Sequence, residues 1–272
     1  MRTLKIAVCQ MTSIDDVETN LKYIEKVVLS LKKAEIAFFP ENCLYMRLQE
    51  GQKISGFDLQ DAAFQRLAKL AMQTKIALHL GSVPLREKVG GVEKLSNATV
   101  FISESGEVRC TYRKMHLFDI ALEGQKPIRE SDAFHHGPEA QVLNFHQVQI
   151  GQTICYDLRF AELFSQYAKQ QVEVIVVPSA FLVPTGKAHW EVLLRARAIE
   201  SQAFVVAAAQ AGTHRGAQGE RQTYGHSLIV SPWGEILAKA SADQPEVLEM
   251  ELDLSQVDKV RRQIPMKAHR RF

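Results

Sequence analysis

Four side chains able to do chemistry stand at, or between, places where strands are expected to end. Glu41 follows Phe38-Phe39-Pro40, Lys114 follows Cys110-Thr111-Tyr112-Arg113, and Cys155 follows Gln152-Thr153-Ile154. Glu130 falls between the last two, in Arg129-Glu130-Ser131. In α/β proteins, ligands gather beyond the carboxyl ends of strands. A thiol, a carboxylate and an ammonium at three such ends suit nucleophilic acyl chemistry. The thiol attacks, the carboxylate carries the proton, and the ammonium steadies the developing negative charge. Taken singly, each has a plainer reading. Glu41 and Lys114 serve as solvated loop charges, and Cys155 as a small core residue. Their joint placement argues against coincidence without naming a reaction.

Other chemistries find little support. The sequence holds no G-x-S-x-G, no G-x-G-x-x-G, no Walker loop and no H-E-x-x-H. The cysteines, at 9, 43, 110 and 155, include no C-x-x-C pair. They read as reduced thiols of a cytoplasmic protein. Cys43, two residues beyond Glu41, reads as packing. His135 and His136 are adjacent, so on a strand they point to opposite faces and chelate poorly. His79 lies in an apolar strand and reads as a core residue. His226 follows Gly225 and reads as structural. Neither a metal nor an organic cofactor is expected.

The elements that must hold these groups alternate along the chain. Apolar strands are expected at residues 4–10, 35–39, 76–83, 148–156, 174–177, 204–209 and 247–252. Helical spacing appears from Val17 to Leu31, from Ala63 to Ala71, and over residues 162–171 and 188–201, with Glu191 and Arg195 spaced to pair. Ser103-Glu104-Ser105-Gly106 and Ser231-Pro232-Trp233-Gly234 signal hairpin turns. Hairpins mixed with helix-connected strands imply a pair of mixed sheets with helices outside, in one domain covering residues 1–272. Residues 263–272 read as an exposed basic arm, free or docked on a partner subunit. Lys+Arg 33 against Asp+Glu 31 leaves a net charge of +2, too balanced to advertise a nucleic-acid binder. No apolar run is long enough to span a membrane. With 46% hydrophobic and 24% charged residues, a disordered chain is excluded.

The blocks Phe39-Pro40-Glu41, Tyr112-Arg113-Lys114-Met115-His116-Leu117 and Ile154-Cys155-Tyr156-Asp157-Leu158-Arg159-Phe160 resemble the three signature blocks of the nitrilase (carbon–nitrogen hydrolase) superfamily. The resemblance runs from Ile6-Ala7-Val8-Cys9-Gln10-Met11 to Pro232-Trp233-Gly234. It implies a four-layer α-β-β-α sandwich and a homodimer or higher homo-oligomer. It also implies Cys155 as nucleophile, Glu41 as general base, Lys114 as the cation near the oxyanion, and Glu130 as a second active-site glutamate. A Glu41 among Phe38, Phe39 and Pro40 is expected to have its pKa raised toward neutrality.

Within the family, Pro178-Ser179-Ala180-Phe181, Ala188-His189-Trp190-Glu191 and Arg195-Ala196-Arg197-Ala198-Ile199-Glu200 resemble the small-amidase branch acting on α-keto acid amides. Val205-Val206-Ala207-Ala208-Ala209-Gln210-Ala211-Gly212 points to deaminated glutathione and metabolite repair. Leu117-Phe118-Asp119-Ile120 points instead to α-ketoglutaramate, an ω-amidase substrate. Nitrile and carbamoyl substrates are further alternatives. Arg159 either accepts the α-keto carboxylate or pairs with Asp157 or Glu162. Phe181, Thr185, Tyr156 and Tyr45 are further substrate-binding candidates, with Thr185 expected to hydrogen-bond a carboxylate. Deaminated glutathione needs a second carboxylate subsite, for which Arg47 and the 213–221 loop are candidates.

Overall fold

The computed structural model describes residues 2–49, 51–121, 124 and 127–271. The first half runs β1 (Thr3–Gln10), α1 (Val17–Ser30), β2 (Ile36–Phe38), α2 (Ala62–Thr74), β3 (Ala77–Val89), β4 (Val92–Ile102) and β5 (Val108–Arg113). A short pair, β6 (Asp119–Ile120) and β7 (Ile128–Arg129), leads to a 3-10 turn at Glu130–Asp132. Next come β8 (Val142–Phe145), β9 (Val148–Gln152), a 3-10 turn at Cys155–Arg159, α3 (Ala161–Gln170), β10 (Val174–Val176), α4 (Val183–Ser201) and β11 (Phe204–Ala207). The chain closes with β12 (Ala211–Gly216), β13 (Gly219–Tyr224), β14 (Leu228–Val230), β15 (Ile236–Lys239), β16 (Glu246–Asp253), α5 (Ser255–Gln263) and α6 (Met266–His269).

Two six-stranded sheets result, ordered β16-β1-β2-β3-β4-β5 and β15-β14-β11-β10-β9-β8. Each has a parallel centre, β1-β2-β3 or β9-β10-β11, and antiparallel flanks. Parallel strands are covered on both faces, so their sequences are apolar at every position rather than at alternate ones. In β1, Leu4, Ile6 and Val8 face the opposing sheet, meeting Ile150, Val174 and Phe204. Ala7 and Cys9 face Leu21, Ile24, Phe64 and Leu67 of α1 and α2. The second sheet packs Ile175, Val205 and Val230 against Phe164, Trp190 and Leu194 of α3 and α4. The layers are therefore α-β-β-α, the sandwich that the sequence implies.

Local signals set the helix ends. Asp16 caps α1, its carboxylate accepting the Thr19 N–H at 2.8 Å. The α4 helix begins at Val183, ahead of the expected 188, because Pro184 occupies its first turn, where a missing N–H costs nothing. Glu191 pairs with Lys239 at 2.9 Å rather than with Arg195, whose Nε donates to the Gly234 carbonyl. The 213–221 segment is not a loop: β12 and β13 pair from Ala211↔Tyr224 to Gly216↔Gly219. The basic arm is not free along its whole length. Arg270 donates to Ser165 Oγ and to the Glu200 carbonyl of its own chain, at 2.7 and 3.0 Å. Phe272 lies outside the described residues.

One close approach ties the fold to the chemistry. Gly81 sits in β3 under the segments that follow β2 and β10. A Cβ there would lie 2.0 Å from the Phe39 carbonyl oxygen and 2.3 Å from Pro178 Cβ. Gly81→Ala must therefore push Pro40 and Pro178 apart. We expect it to lower Tm by roughly 5 °C and kcat/KM at least about tenfold, since overpacking strains the core and misplaces Glu41. Calorimetry and steady-state kinetics on the same preparation check both effects.

Candidate active site

Each functional side chain is carried past the end of a strand and fixed by its backbone. After β2, Phe39 N–H donates to the His79 carbonyl at 2.9 Å, and Pro40 O accepts the Ser82 N–H at 3.3 Å. This places Glu41 above β3. After β5, the Lys114 N–H donates to Asn97 O of β4 at 2.9 Å. Glu130 opens the 3-10 turn that follows β7. The strand expected to run through Cys155 stops at Gln152. Cys155 instead turns sharply, with φ +49°, and its N–H donates to Pro178 O at 2.9 Å. Left-handed backbone at a non-glycine residue costs on the order of 1–3 kcal/mol and persists only where the surroundings enforce it.

Asp157 does much of that enforcing. Its fully buried carboxylate accepts from Ile154 N (2.9 Å), Tyr112 OH (2.7 Å) and His116 N (3.0 Å), and meets His116 Nδ1 at 2.7 Å. Tyr112 and His116 flank Lys114 in sequence. One carboxylate thus fastens the Cys155 turn to the Lys114 segment. Its role also decides an open alternative: Asp157 is fully engaged and does not pair with Arg159.

At the floor, the Lys114 ammonium is 2.8 Å from Glu41 Oε1, 3.1 Å from Glu130 Oε1 and 2.8 Å from Glu130 Oε2. Lys114 and Glu41 are only 2% and 4% exposed, so the cation is held by two carboxylates out of water. Glu130 also accepts the Phe118 N–H at 2.6 Å, and Glu41 the Ala180 N–H at 2.9 Å. Asn97, which sequence reasoning missed, joins them: its Nδ2 donates to Glu41 Oε1 at 3.1 Å and to Glu130 Oε1 at 2.8 Å. The carboxylates fix the orientation of that amide, because its oxygen facing them would repel. The signal is faint: Asn97 is one of several polar residues in β4, between Ser96 and Thr99.

Burial pushes the Lys114 ammonium down, but the charges of Glu130 and Glu41 outweigh it, and the pKa stands well above the ordinary lysine value. Burial pushes Glu41 up. Lys114, with hydrogen bonds from Lys114, Cys155 and Asn97, more than reverses this, and the carboxyl titrates below its ordinary value. The expectation of a raised Glu41 is therefore corrected: the adjacent ammonium dominates the apolar neighbours. Burial, then the Glu41 charge, push the Cys155 thiol well above the ordinary value, against the pull of Lys114. The resting site holds a neutral thiol beside an ionised carboxylate.

These groups open into a cleft. Tyr45, Tyr156, Arg159, Phe181 and Thr185 all line it. The Arg159 guanidinium lies 5.8 Å from the Tyr156 ring centroid and 5.4 Å from that of Phe181, with Nη1 3.1 Å from His189 Nδ1. No carboxylate among the described residues pairs with it. The Thr185 hydroxyl donates to Leu182 O at 3.2 Å, so its proton is committed to the helix rather than offered to a substrate carboxylate. Tyr45 OH accepts from Gln52 Nε2 at 2.8 Å. Cys43 is fully buried, and desolvation pushes its thiol up to about 12, consistent with packing. His79, buried with Nε2 2.9 Å from Gln152 Oε1, is pushed down to about 4 and is a core residue. His226 holds Tyr224 O through Nδ1 at 2.7 Å, a structural contact.

The family model for carbon–nitrogen hydrolases matches residues 5–262. The chain belongs to the carbon–nitrogen hydrolase family. Among curated relatives, the deaminated glutathione amidase of Bos taurus is 38% identical over 98% of this chain and 81% of its own. That of Yersinia enterocolitica is 32% identical over 100% of this chain and 94% of its own. The crystal structure of the C. elegans NitFhit protein aligns at 36% identity with a TM-score of 0.87. It covers 99% of this chain, which spans 65% of that longer one. As a carbon–nitrogen hydrolase, the protein is an enzyme, and its matched region contains all four polar groups of the floor.

The pKa directions predict a pH profile. Glu41 is the base form above its lowered pKa, so proton acceptance persists through neutrality and is lost only below the ordinary carboxylate value of 4.5. The acid limb of kcat/KM should therefore fall below about pH 4.5, over whatever range the fold survives. A limb near pH 6–7 would show that Glu41 is raised instead.

Proposed function

We propose that this carbon–nitrogen hydrolase is a cysteine-dependent amidase that cleaves α-keto acid amides, with deaminated glutathione as its substrate. The observation that carries the reading is the contact of Cys155, Glu41 and Lys114 at the floor of a cleft whose wall holds Arg159, a cation with no carboxylate partner among the described residues. The two relatives named above, at 38% and 32% identity, favour the substrate.

The Cys155 sulfur attacks the amide carbon as its proton passes to Glu41. A carbon–sulfur bond forms, and the carbonyl electron pair moves onto oxygen. Lys114 and the Tyr156 N–H, at the first turn of the 3-10 segment, stand as donors to that oxyanion. Loss of one such donor costs about 10²–10³ in rate. Glu41 then gives its proton to the amide nitrogen, the carbon–nitrogen bond breaks, and the amine leaves. A thioester remains on Cys155. Water, deprotonated by Glu41, attacks it, and the acid departs as the thiol regains its proton. Glu130 holds Lys114 through both oxygens and so fixes the ammonium's position. Arg159 receives the α-keto carboxylate bidentately, stacked against Tyr156 and Phe181.

An ω-amidase acting on α-ketoglutaramate uses the same steps with ammonia as the leaving group. Both substrates release 2-oxoglutarate, so one assay compares them. Wild type is expected to show kcat/KM at least about tenfold higher for deaminated glutathione, roughly 1.4 kcal/mol in transition-state binding. Cys155→Ala should abolish both activities. The reverse ranking would make the enzyme an ω-amidase, and undiminished turnover by Cys155→Ala would refute the cysteine mechanism.

A further inference from the structure

The β12–β13 hairpin is a part of the cleft wall that the reaction above leaves unused. It is strapped down along its length. At its base, Tyr224 N–H donates to Phe181 O at 2.9 Å and Ala211 N–H to Met11 O at 2.7 Å. At its middle, buried His214 has Nδ1 2.7 Å from Ser13 O and Nε2 2.7 Å from Thr223 Oγ1. A carbonyl only accepts, so Nδ1 carries the proton and Nε2 accepts the Thr223 hydroxyl. Burial pushes this imidazole down to about 4, so it stays neutral and both bonds hold at neutral pH. At its tip, Asp15 accepts from Ala217 N at 3.1 Å and Gln218 N at 2.9 Å. The hairpin is a fixed wall, and what it presents is preorganised.

It presents Arg221, which pairs in register with His214 and lines the cleft. One Arg221 nitrogen donates to the Arg47 carbonyl at 3.5 Å, occupying one of five N–H donors. No carboxylate among the described residues pairs with Arg221. The acids of the floor do not neutralise it either, since Glu41 and Glu130 are both turned to Lys114. Two such arginines, Arg159 on the turn after Cys155 and Arg221 on the hairpin, therefore enter one cleft from different elements. A substrate with a single carboxylate leaves one of them unanswered.

We propose that Arg221 determines specificity by binding a carboxylate on the leaving amine, so that the enzyme selects amides of carboxylated amines over primary amides. The inference rests on the α-keto amide reading above, in which Arg159 takes the acyl-side carboxylate. Cysteinylglycine, the amine released from deaminated glutathione, carries such a carboxylate at its glycine end. Ammonia carries none.

The test uses two amides identical except at that end: α-ketoglutaryl-cysteinylglycine and the same molecule with its glycine carboxyl capped as a carboxamide. Wild type is expected to prefer the free acid at least about tenfold in kcat/KM, the scale of one charge-assisted bond. In Arg221→Met the preference should fall to within about twofold of unity, and Arg221→Lys should restore part of it. Equal turnover of both amides by wild type would overturn the inference alone. So would an undiminished preference in Arg221→Met. Turnover of neither amide by wild type, with Cys155 still alkylated by iodoacetamide, would overturn the α-keto amide reading and the inference with it.

Discussion

A buried ammonium between two buried carboxylates is the constraint around which the rest of this site is arranged. Lys114, Glu41 and Glu130 come from three separate elements, and none is stable in that position without the others. An isolated charge out of water is expensive, and removing one partner of a buried pair leaves the other uncompensated. The fold must therefore bring the ends of β2, β5 and β7 together, and it does so with backbone bonds rather than with loops left to settle. Gly81 allows the Phe39 and Pro178 segments both to close onto β3. Asn97 spans both carboxylates. Asp157 fastens the Cys155 turn to the residues flanking Lys114.

That arrangement decides the protonation states. The charge of Lys114 is spent on Glu41 and Glu130, so little remains to stabilise a thiolate. Cys155 stays neutral and Glu41 stays ionised. In the proposed mechanism the nucleophile is then made at the moment of attack, as the thiol proton passes to the neighbouring Glu41 carboxylate. A site of this kind needs no low-pKa cysteine, and it keeps the resting thiol from reacting indiscriminately, since the thiolate is the reactive form.

Much of this was legible in the sequence because it is local. Glu41 follows a buried apolar strand, Lys114 ends a hairpin strand and Cys155 lies at the end of an expected strand, and strand ends gather ligands. The sandwich was legible because hairpins mixed with helix-connected strands imply paired mixed sheets with helices outside, as the family resemblance also does. What was not legible depends on distant partners. Asp157 looked like a pair for Arg159, yet its oxygens go to residues more than forty positions earlier as well as to Ile154. Asn97 gave no periodic signal. The Glu41 pKa was misjudged because its sequence neighbours are apolar while its spatial neighbour is an ammonium. Residues 213–221 read as a loop because glycines and polar side chains hide a two-stranded pairing whose anchors, Ser13 and Asp15, lie at the other end of the chain.

The central claim is that Cys155 rests as a thiol beside an ionised Glu41. Ultraviolet thiolate absorbance, recorded against pH for wild type after subtraction of that of Cys155→Ala, reads this directly. The account predicts no Cys155 thiolate signal at neutral pH, with ionisation appearing only above the ordinary cysteine value of 9.0. A full thiolate signal at pH 7 would contradict it, and would make Lys114 the partner of the sulfur rather than of the carboxylates.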